Sequence, residues 1–170
     1  MELTWNEVLA ATNAKVHSGK LRGNDAIPKI TTDTRKIETG DLFIALRGEN
    51  FDGAEFAADA LQKGASAVLV GAPLSKSVEK ALKNAKGAVL TVSDTLAAYQ
   101  AIAHAWRMKF GVPVVAITGS NGKTTTKDLT AAVLSARGMV CRTAANYNNE
   151  VGLPLTLLGM TGGDVAAVVE

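Results

Sequence analysis

The sequence predicts an α/β fold, with a small N-terminal α/β domain followed by the first part of a P-loop-type parallel-sheet domain. Short apolar runs alternate with segments of helical periodicity along the chain, a pattern typical of parallel sheets joined by helices. One apolar run, 112–117, leads into a glycine-rich turn and then into a helical pattern. A buried strand, a glycine turn and a helix in that order form the frame of a phosphate-binding loop.

The first half of the chain reads as alternating strands and helices. Thr4 and Glu7 have capping-box spacing and begin a short helix. Gly64 ends a later amphipathic helix as its C-terminal cap. The apolar runs predict strands at 29–33, 42–46, 67–70 and 88–92, and the helical spacing predicts helices at 54–63 and 75–84.

The second half begins with a long helix that Asp94 caps and that extends to about residue 110. Tyr99 and Trp106 lie on its apolar face, which favours core packing over a role in stacking. We therefore place a domain boundary between 1–93 and 94–170. The remaining pattern predicts strands at 112–117, 140–143 and 164–170, a helix at 127–134 and a polar loop at 146–154.

The glycine-rich turn consists of Gly119, Ser120, Asn121, Gly122, Lys123, Thr124 and Thr125. Its two glycines let the backbone approach an anion, and the following helix points its N-terminal N–H groups at that anion. Lys123 is placed to reach the outer phosphates of a nucleotide, and the Thr124 hydroxyl to hold Mg²⁺. The general P-loop pattern has a further glycine five residues before Gly122, where this chain has Ile117. The competing interpretation is a glycine turn with an exposed lysine, but the flanking strand and helix favour a nucleotide triphosphate.

Composition excludes several other classes of protein. The net charge of +2 over 170 residues and the scattered Lys and Arg positions argue against a nucleic-acid-binding surface. No run approaches the roughly 18 apolar residues of a membrane span, and the N-terminus does not read as a signal peptide, so we expect a cytoplasmic protein without membrane insertion. Cys141 is the only cysteine, and its apolar strand favours packing over nucleophilic chemistry.

The last residue, Glu170, follows the apolar run 165–169. A carboxylate at the carboxyl end of a parallel strand beside a P-loop is in the position of a metal-coordinating acid. The alternative is that Glu170 is a solvated terminus. Because domains rarely end inside their own sheet, we expect the sequence to be the front part of a longer protein.

Three groups of residues carry a resemblance to the Mur ligases, the ATP-dependent amide-bond-forming enzymes of peptidoglycan assembly. The loop 118–125 resembles the nucleotide loop of that family, which has the same short glycine pattern. The segments 32–36, 40–48 and 51–53 resemble its uridine-nucleotide-binding N-terminal domain. Residues 145–157 and 168–170 resemble the corresponding segments of one member of the family, which joins D-alanyl-D-alanine to UDP-N-acetylmuramoyl-tripeptide.

The resemblance implies a ligase that uses ATP and Mg²⁺ to activate a peptide carboxylate as an acyl phosphate. It implies that Thr124 and Glu170 hold the magnesium ion, and that Lys123 and Thr124 act in catalysis. The implied substrate-binding residues are Thr34, Arg35, Glu49, Asn50, Phe51, Asn146, Asn148 and Asn149. A surface ion pair between Asp33 and Arg35, and loop formation by the asparagines, are the structural alternatives.

Two other functions remain open from the sequence. One is another ligase of the same superfamily, such as a folylpolyglutamate-type enzyme, and the other is a P-loop nucleotide-binding module without ligase activity. Under the family interpretation the full-length enzyme is a monomer. We also expect the present 170 residues alone to be unable to complete ligation.

Overall fold

A computed structural model describes residues 2–48 and 51–170. The chain forms two compact units, Met1–Ala101 and Ile102–Glu170, which divide within a helix. The strands are β1 (Lys15–Ser18), β2 (Ile30–Thr31), β3 (Leu42–Ile44), β4 (Ala67–Gly71), β5 (Ala88–Val92), β6 (Val114–Ala116), β7 (Met139–Arg142) and β8 (Asp164–Val169). The helices are α1 (Trp5–Thr12), α2 (Ala57–Gln62), α3 (Lys76–Leu82), α4 (Thr95–Arg107), α5 (Lys123–Leu134) and α6 (Gly152–Leu158).

The first unit contains a five-stranded sheet in the order β1-β5-β4-β3-β2. The strands β2 to β5 are parallel, as the alternation of apolar runs and helices predicts. β1, which was not predicted, pairs antiparallel with β5 at the edge of the sheet. All four of its residues are exposed, so it has no apolar run by which to recognise it.

The core of the first unit lies between the sheet and the helices α2 and α3. Phe43, Val68, Val70 and Val89 from the strands belong to one buried cluster together with small and aliphatic side chains of the helices. Fully buried parallel strands account for the near-continuous apolar runs in the sequence. The helix α1 begins at the predicted capping box, in which the Thr4 side chain accepts a hydrogen bond from the Glu7 N–H and Glu7 bonds back to the Thr4 N–H.

The second unit contains a three-stranded parallel sheet in the order β6-β8-β7. The central strand β8 is the last element, and Glu170 follows it directly. The helix α5 follows β6 after the glycine-rich turn, and its inward-facing residues Lys127 and Ala131 are buried. The carboxyl ends of three neighbouring parallel strands therefore meet at one edge, which is where open α/β sheets bind their ligands.

Three local predictions for the second unit need correction. The polar loop predicted at 146–154 ends early, because α6 begins at Gly152 and accommodates Pro154 in its first turn. The strand predicted as buried at 112–117 is half-buried to exposed, since β6 is an edge strand of this sheet. The helix predicted from residue 127 begins at Lys123, immediately after the turn.

The predicted long helix agrees closely with α4, whose first turn is capped by Asp94 through hydrogen bonds from the Leu96 and Ala97 N–H groups. Tyr99 and Trp106 are both buried, as expected for core residues. Within residues 2–48 and 51–170, no helix has the length and apolarity that a membrane crossing requires.

Candidate nucleotide and metal site

The turn between β6 and α5 has the backbone geometry of an anion-binding loop. Gly119 and Gly122 have φ angles of +148° and +75°, values that side chains with a Cβ rarely adopt. A Cβ placed on Gly122 would meet nothing within 4 Å, so glycine is needed here for its conformation and not for space. Ser120 and Asn121 between them are exposed. The loop thus opens to solvent above the N-terminus of α5, where N–H groups lack intrahelical partners.

Lys123 and Thr124 occupy the first two positions of α5. The Lys123 ammonium folds back over the loop and donates a hydrogen bond to the Gly119 carbonyl oxygen at 2.8 Å. It therefore lies across the loop, where phosphate oxygens can replace the carbonyl as its acceptor. Thr125, which follows on the same turn, is exposed.

The side chain of Glu170 meets this loop from the end of β8. Its Oε2 accepts a hydrogen bond from the Thr124 hydroxyl at 3.1 Å, and its Oε1 accepts one from the Asn148 amide at 3.0 Å. The Glu170 N–H donates to the hydroxyl of buried Thr143, which follows β7. The structure thus brings together the two residues that the sequence singled out as metal ligands, and it anchors the acid on both its main chain and its side chain.

The electrostatic environment keeps Glu170 ionised. The hydrogen bond from Asn148 lowers the pKa of the Glu170 carboxyl below its ordinary value, and the hydrogen bond from Thr124 and the charges of Lys127 and Lys123 act in the same direction. Partial burial opposes them. Because the net shift is downward, the carboxylate form is the one present at neutral pH.

A buried lysine lies next to this carboxylate. The Lys127 side chain is 3% exposed, and its ammonium is 3.8 Å from Glu170 Oε2 and 3.8 Å from Asp128 Oδ1. Asp128 is in turn 3.5 Å from the Arg142 guanidinium on β7. Lys127 was not predicted as a site residue, because a lysine in an amphipathic helix normally lies on the solvent face. Its position one turn after Lys123, on the same face as buried Ala131, was the available signal.

The asparagine-rich segment after β7 serves several purposes. Asn148 holds Glu170, whereas Asn149 accepts hydrogen bonds from the Val151 and Gly152 N–H groups at 3.2 and 2.7 Å, at the start of α6. Asn146 is exposed, and its carbonyl oxygen accepts a hydrogen bond from the Asn148 N–H. Asn149 thus has the loop-forming role that was the structural alternative, while Asn148 belongs to the site.

The candidate uridine-binding residues lie in the first unit. Thr34 and Arg35 form part of a short 3-10 helix (Thr34–Lys36) that follows β2, and Thr34 is half-buried. Arg35 forms the predicted ion pair with Asp33, at 2.8 Å, and hydrogen bonds from Arg35 hold the pKa of Asp33 well below its usual range. Phe51 follows the parallel neighbour β3 and is 53% exposed.

Phe51 also contacts the ring of Phe56, with the two centroids 5.9 Å apart. The other two candidates of this group, Glu49 and Asn50, lie outside the described residues. Thr34, Arg35 and Phe51 all follow the carboxyl ends of neighbouring parallel strands, so they share one edge of the sheet.

The residues of the second unit fit a magnesium ion. A threonine hydroxyl and an ionised carboxylate are the hard oxygen donors that Mg²⁺ prefers, and Thr124 and Glu170 present them side by side. Among the described parts of the chain, no group of three or more His, Cys, Asp or Glu side chains is arranged to hold an ion. Mg²⁺ usually keeps several waters and binds substrate phosphates together with one or two protein ligands, which matches this sparse set.

Comparison with known proteins gives matches to both halves of the chain. Residues 26–107 match the catalytic domain of the Mur ligase family, and residues 117–170 match the Mur ligase middle domain. The chain belongs to the Mur ligase family. A relative from Synechocystis, named UDP-N-acetylmuramoyl-tripeptide–D-alanyl-D-alanine ligase, is 51% identical over 144 residues, which are 85% of this chain and 30% of the relative. The ligase of the same name from Escherichia coli is 43% identical over 154 residues, covering 90% of this chain and 32% of the relative.

Solved Mur ligase structures have the same fold. A crystal structure of MurF from Acinetobacter baumannii superposes with a TM-score of 0.86 at 32% identity, covering 100% of this chain and 36% of that one. A MurF ligase from Thermotoga maritima in complex with ADP superposes with a TM-score of 0.71 at 30% identity, covering 85% of this chain and 32% of that one. This chain therefore spans about a third of the length of the Mur ligases it matches.

Proposed function

We propose that this chain supplies the nucleotide-binding parts of an ATP-dependent ligase that joins D-alanyl-D-alanine to UDP-N-acetylmuramoyl-tripeptide. The observation that carries the proposal is the contact between Thr124 and Glu170 beneath a glycine loop, in a chain 51% identical to a ligase of that name. The sheet edges of both units carry the polar residues that the two nucleotides require. The reaction takes place in the cytoplasm, where ATP and the uridine nucleotide are available.

In the proposed reaction, a carboxylate oxygen of the peptide attacks the γ-phosphorus of ATP, and ADP departs. The amine of D-alanyl-D-alanine then attacks the acyl carbon of the acyl phosphate, and inorganic phosphate leaves as the amide forms. Both steps bring anionic groups together, so the main task of the protein is to position charges and neutralise them.

The second unit performs this charge control. Lys123 and the N–H groups at the start of α5 bind the β- and γ-phosphate oxygens, and Gly119 and Gly122 give those oxygens close access to the backbone. Thr124 and Glu170 hold the magnesium ion, which when bound screens the phosphate charge.

The proposed mechanism needs no protein nucleophile. Cys141 donates its thiol hydrogen bond to the Thr156 carbonyl oxygen, and burial raises its pKa to about 11. Such a thiol is almost entirely protonated at neutral pH and is a poor nucleophile. The packing role expected from the sequence is therefore the one that its chemistry supports.

The first unit binds the uridine part of the substrate at the carboxyl ends of β2 and β3. The Thr34 hydroxyl donates to the diphosphate, and Arg35 exchanges part of its contact with Asp33 for a phosphate oxygen. Glu49, Asn50 and Phe51 form the loop that faces the uracil, where the exposed Phe51 ring offers a stacking surface. Asn146 and Asn148 contribute neutral amide contacts to the substrate next to the metal.

The test is a pair of calorimetric titrations of the 170-residue chain, one with UDP-N-acetylmuramoyl-tripeptide and one with Mg-ATP. We expect Lys123→Ala to weaken Mg-ATP binding about 10- to 100-fold, because a charge-assisted contact contributes about 1.5–3 kcal/mol. We expect Thr34→Ala to weaken the binding of the uridine compound about 5- to 10-fold and to leave Mg-ATP binding unchanged. Arg137→Ala and Thr39→Ala are the matched controls, since each removes a similar group from an exposed position in the same unit.

Each result separates the candidate functions. Uridine binding that Thr34→Ala weakens supports the muramoyl ligase, whereas a folded chain that binds Mg-ATP through Lys123 but no uridine compound supports a nucleotide-binding module. A folded chain that binds neither ligand contradicts the proposal. A folate substrate in place of the uridine compound tests the folylpolyglutamate-type alternative in the same assay.

A further inference from the structure

The metal-binding carboxylate of this chain already has a cationic partner inside the protein. The Glu170 side chain is 5% exposed and Lys127 is 3% exposed, so neither charge is well solvated. Their separation of 3.8 Å is an ion pair, and a buried carboxylate needs such a partner to remain ionised. Nothing in the proposed reaction uses Lys127, which lies one helical turn beyond the phosphate-binding Lys123.

The position of Lys127 is fixed by the packing of α5. It belongs to the buried face of that helix together with Ala131, a face that normally carries apolar side chains. Burial of a lysine at such a position is costly unless its ammonium is paired, and here Glu170 and Asp128 lie at equal distances from it. The ammonium is therefore held close to the same Glu170 oxygen, Oε2, that accepts the Thr124 hydroxyl.

We propose that Lys127 is a built-in counter-cation that occupies the Glu170 carboxylate and so prevents the site from binding a free divalent ion before the nucleotide arrives. This inference rests on the proposed magnesium–nucleotide function of the loop. The positive charges of Lys127 and Lys123 both act on the Glu170 carboxylate. A free cation at that carboxylate is repelled by the two ammonium groups, whereas a metal–triphosphate complex brings excess negative charge and is attracted.

Lys127 thereby acts as a specificity-determining and positioning residue, not as a catalytic one. Its ammonium lies beside the oxygen of Glu170 that faces Thr124, while the Asn148 amide fixes the other oxygen. The carboxylate is thus kept in one orientation without an ion. The site selects the metal–nucleotide complex over the ion alone because only the complex offsets the charge of Lys127.

The test measures Mn²⁺ binding without nucleotide, from the loss of the free-ion signal in electron paramagnetic resonance. We expect Lys127→Met, which keeps the apolar stem, to bind Mn²⁺ about tenfold more tightly than wild type because a repelling charge is removed next to a ligand. Lys127→Arg keeps the charge and is expected to match wild type. Arg137→Met is the matched control, because it removes one positive charge from an exposed position about 15 Å further along the helix direction.

The comparison is internally controlled. All variants are compared in the same 170-residue chain, so the effect of its terminal carboxylate is common to them. Should Lys127→Met fail to fold by near-ultraviolet circular dichroism, Lys127→Gln replaces it in the same comparison with wild type. Equal Mn²⁺ affinity in folded Lys127→Met and wild type, or an equal gain in Arg137→Met, overturns the proposal.

A separate titration keeps the two proposals apart. Wild type is titrated with Mg-ATP as described above. If wild type does not bind Mg-ATP, the proposed nucleotide function is contradicted. The Mn²⁺ comparison between wild type and the Lys127 variants reports the role of the lysine separately.

Discussion

Replacing Gly152 with alanine tests how the asparagine-rich segment 146–149 is held against α6. A Cβ built on Gly152 would lie 2.5 Å from the Tyr147 carbonyl carbon and Cα, and 2.6 Å from its carbonyl oxygen. These are backbone atoms, so a side-chain rotation cannot relieve the overlap. Either the segment from Tyr147 or the first turn of α6 has to move.

The size of the effect follows from the contacts at stake. Crowding of a packed site by one methyl group costs about 1–3 kcal/mol. Displacement of the segment also breaks the 2.7 Å hydrogen bond from the Gly152 N–H to Asn149, which adds about 1 kcal/mol. We therefore expect Gly152→Ala to lower the free energy of unfolding of the second unit by about 2–4 kcal/mol. The same displacement moves the Asn148 amide away from Glu170.

Urea denaturation followed by Trp106 fluorescence measures this change. A Trp5→Phe background leaves Trp106, which lies in the second unit, as the only tryptophan signal. Gly162→Ala is the matched control in the same unit, since a Cβ at Gly162 would meet nothing within 4 Å, and we expect it to change stability by no more than about 0.5 kcal/mol. A Gly152→Ala variant within about 0.5 kcal/mol of the control refutes the reasoning.

Three further predictions concern single groups. Because burial raises the pKa of Cys141 to about 11, we expect iodoacetamide to alkylate it at pH 8 about 100-fold more slowly than a free cysteine, and equal rates in native and urea-unfolded protein would contradict this. Thr4→Ala removes the capping box with Glu7 and is expected to cost about 1 kcal/mol in urea unfolding, whereas Thr4→Ser should cost little. The pKa of Glu170 is lowered in the folded state, so its stabilising contribution is full above its unfolded pKa and is lost as the pH falls through the folded value. Since Asn148 is the largest cause, we expect Asn148→Ala to be destabilising at pH 7 and its difference from wild type to shrink with acidification below about pH 4.5, as measured by urea unfolding; a pH-independent difference would show that the amide acts only through packing.

The sequence was sufficient for the order of most elements and for the position of the glycine loop between β6 and α5. Fully buried parallel strands such as β4 and β5 leave long apolar runs, and capping residues such as Thr4 and Asp94 mark helix starts locally. The glycine loop was recognisable because its φ angles demand glycine at Gly119 and Gly122. These features are encoded by residues close together in the chain.

The features that were missed depend on contacts between distant residues. Strand β1 is defined by pairing with β5 and not by its own exposed side chains. Helix α6 was hidden by Gly152 and Pro154, which read as loop residues until their positions in the first turn are known. The burial of Lys127 arises from the approach of Glu170, which is 43 residues later in the sequence, so its pairing has no local signature.

The edge strands of the first unit limit its aggregation through the edges of the sheet. A parallel sheet exposes unpaired N–H and C=O groups along its outer strands, and these can recruit a strand from another molecule. Here one border is β1, which runs antiparallel, has an irregular register between Val16 and Ser18 and carries Lys15, while the other border, β2, is only two residues long. Both borders are poor templates for strand addition, so a cell can accumulate this unit during synthesis with little risk of cross-β aggregation.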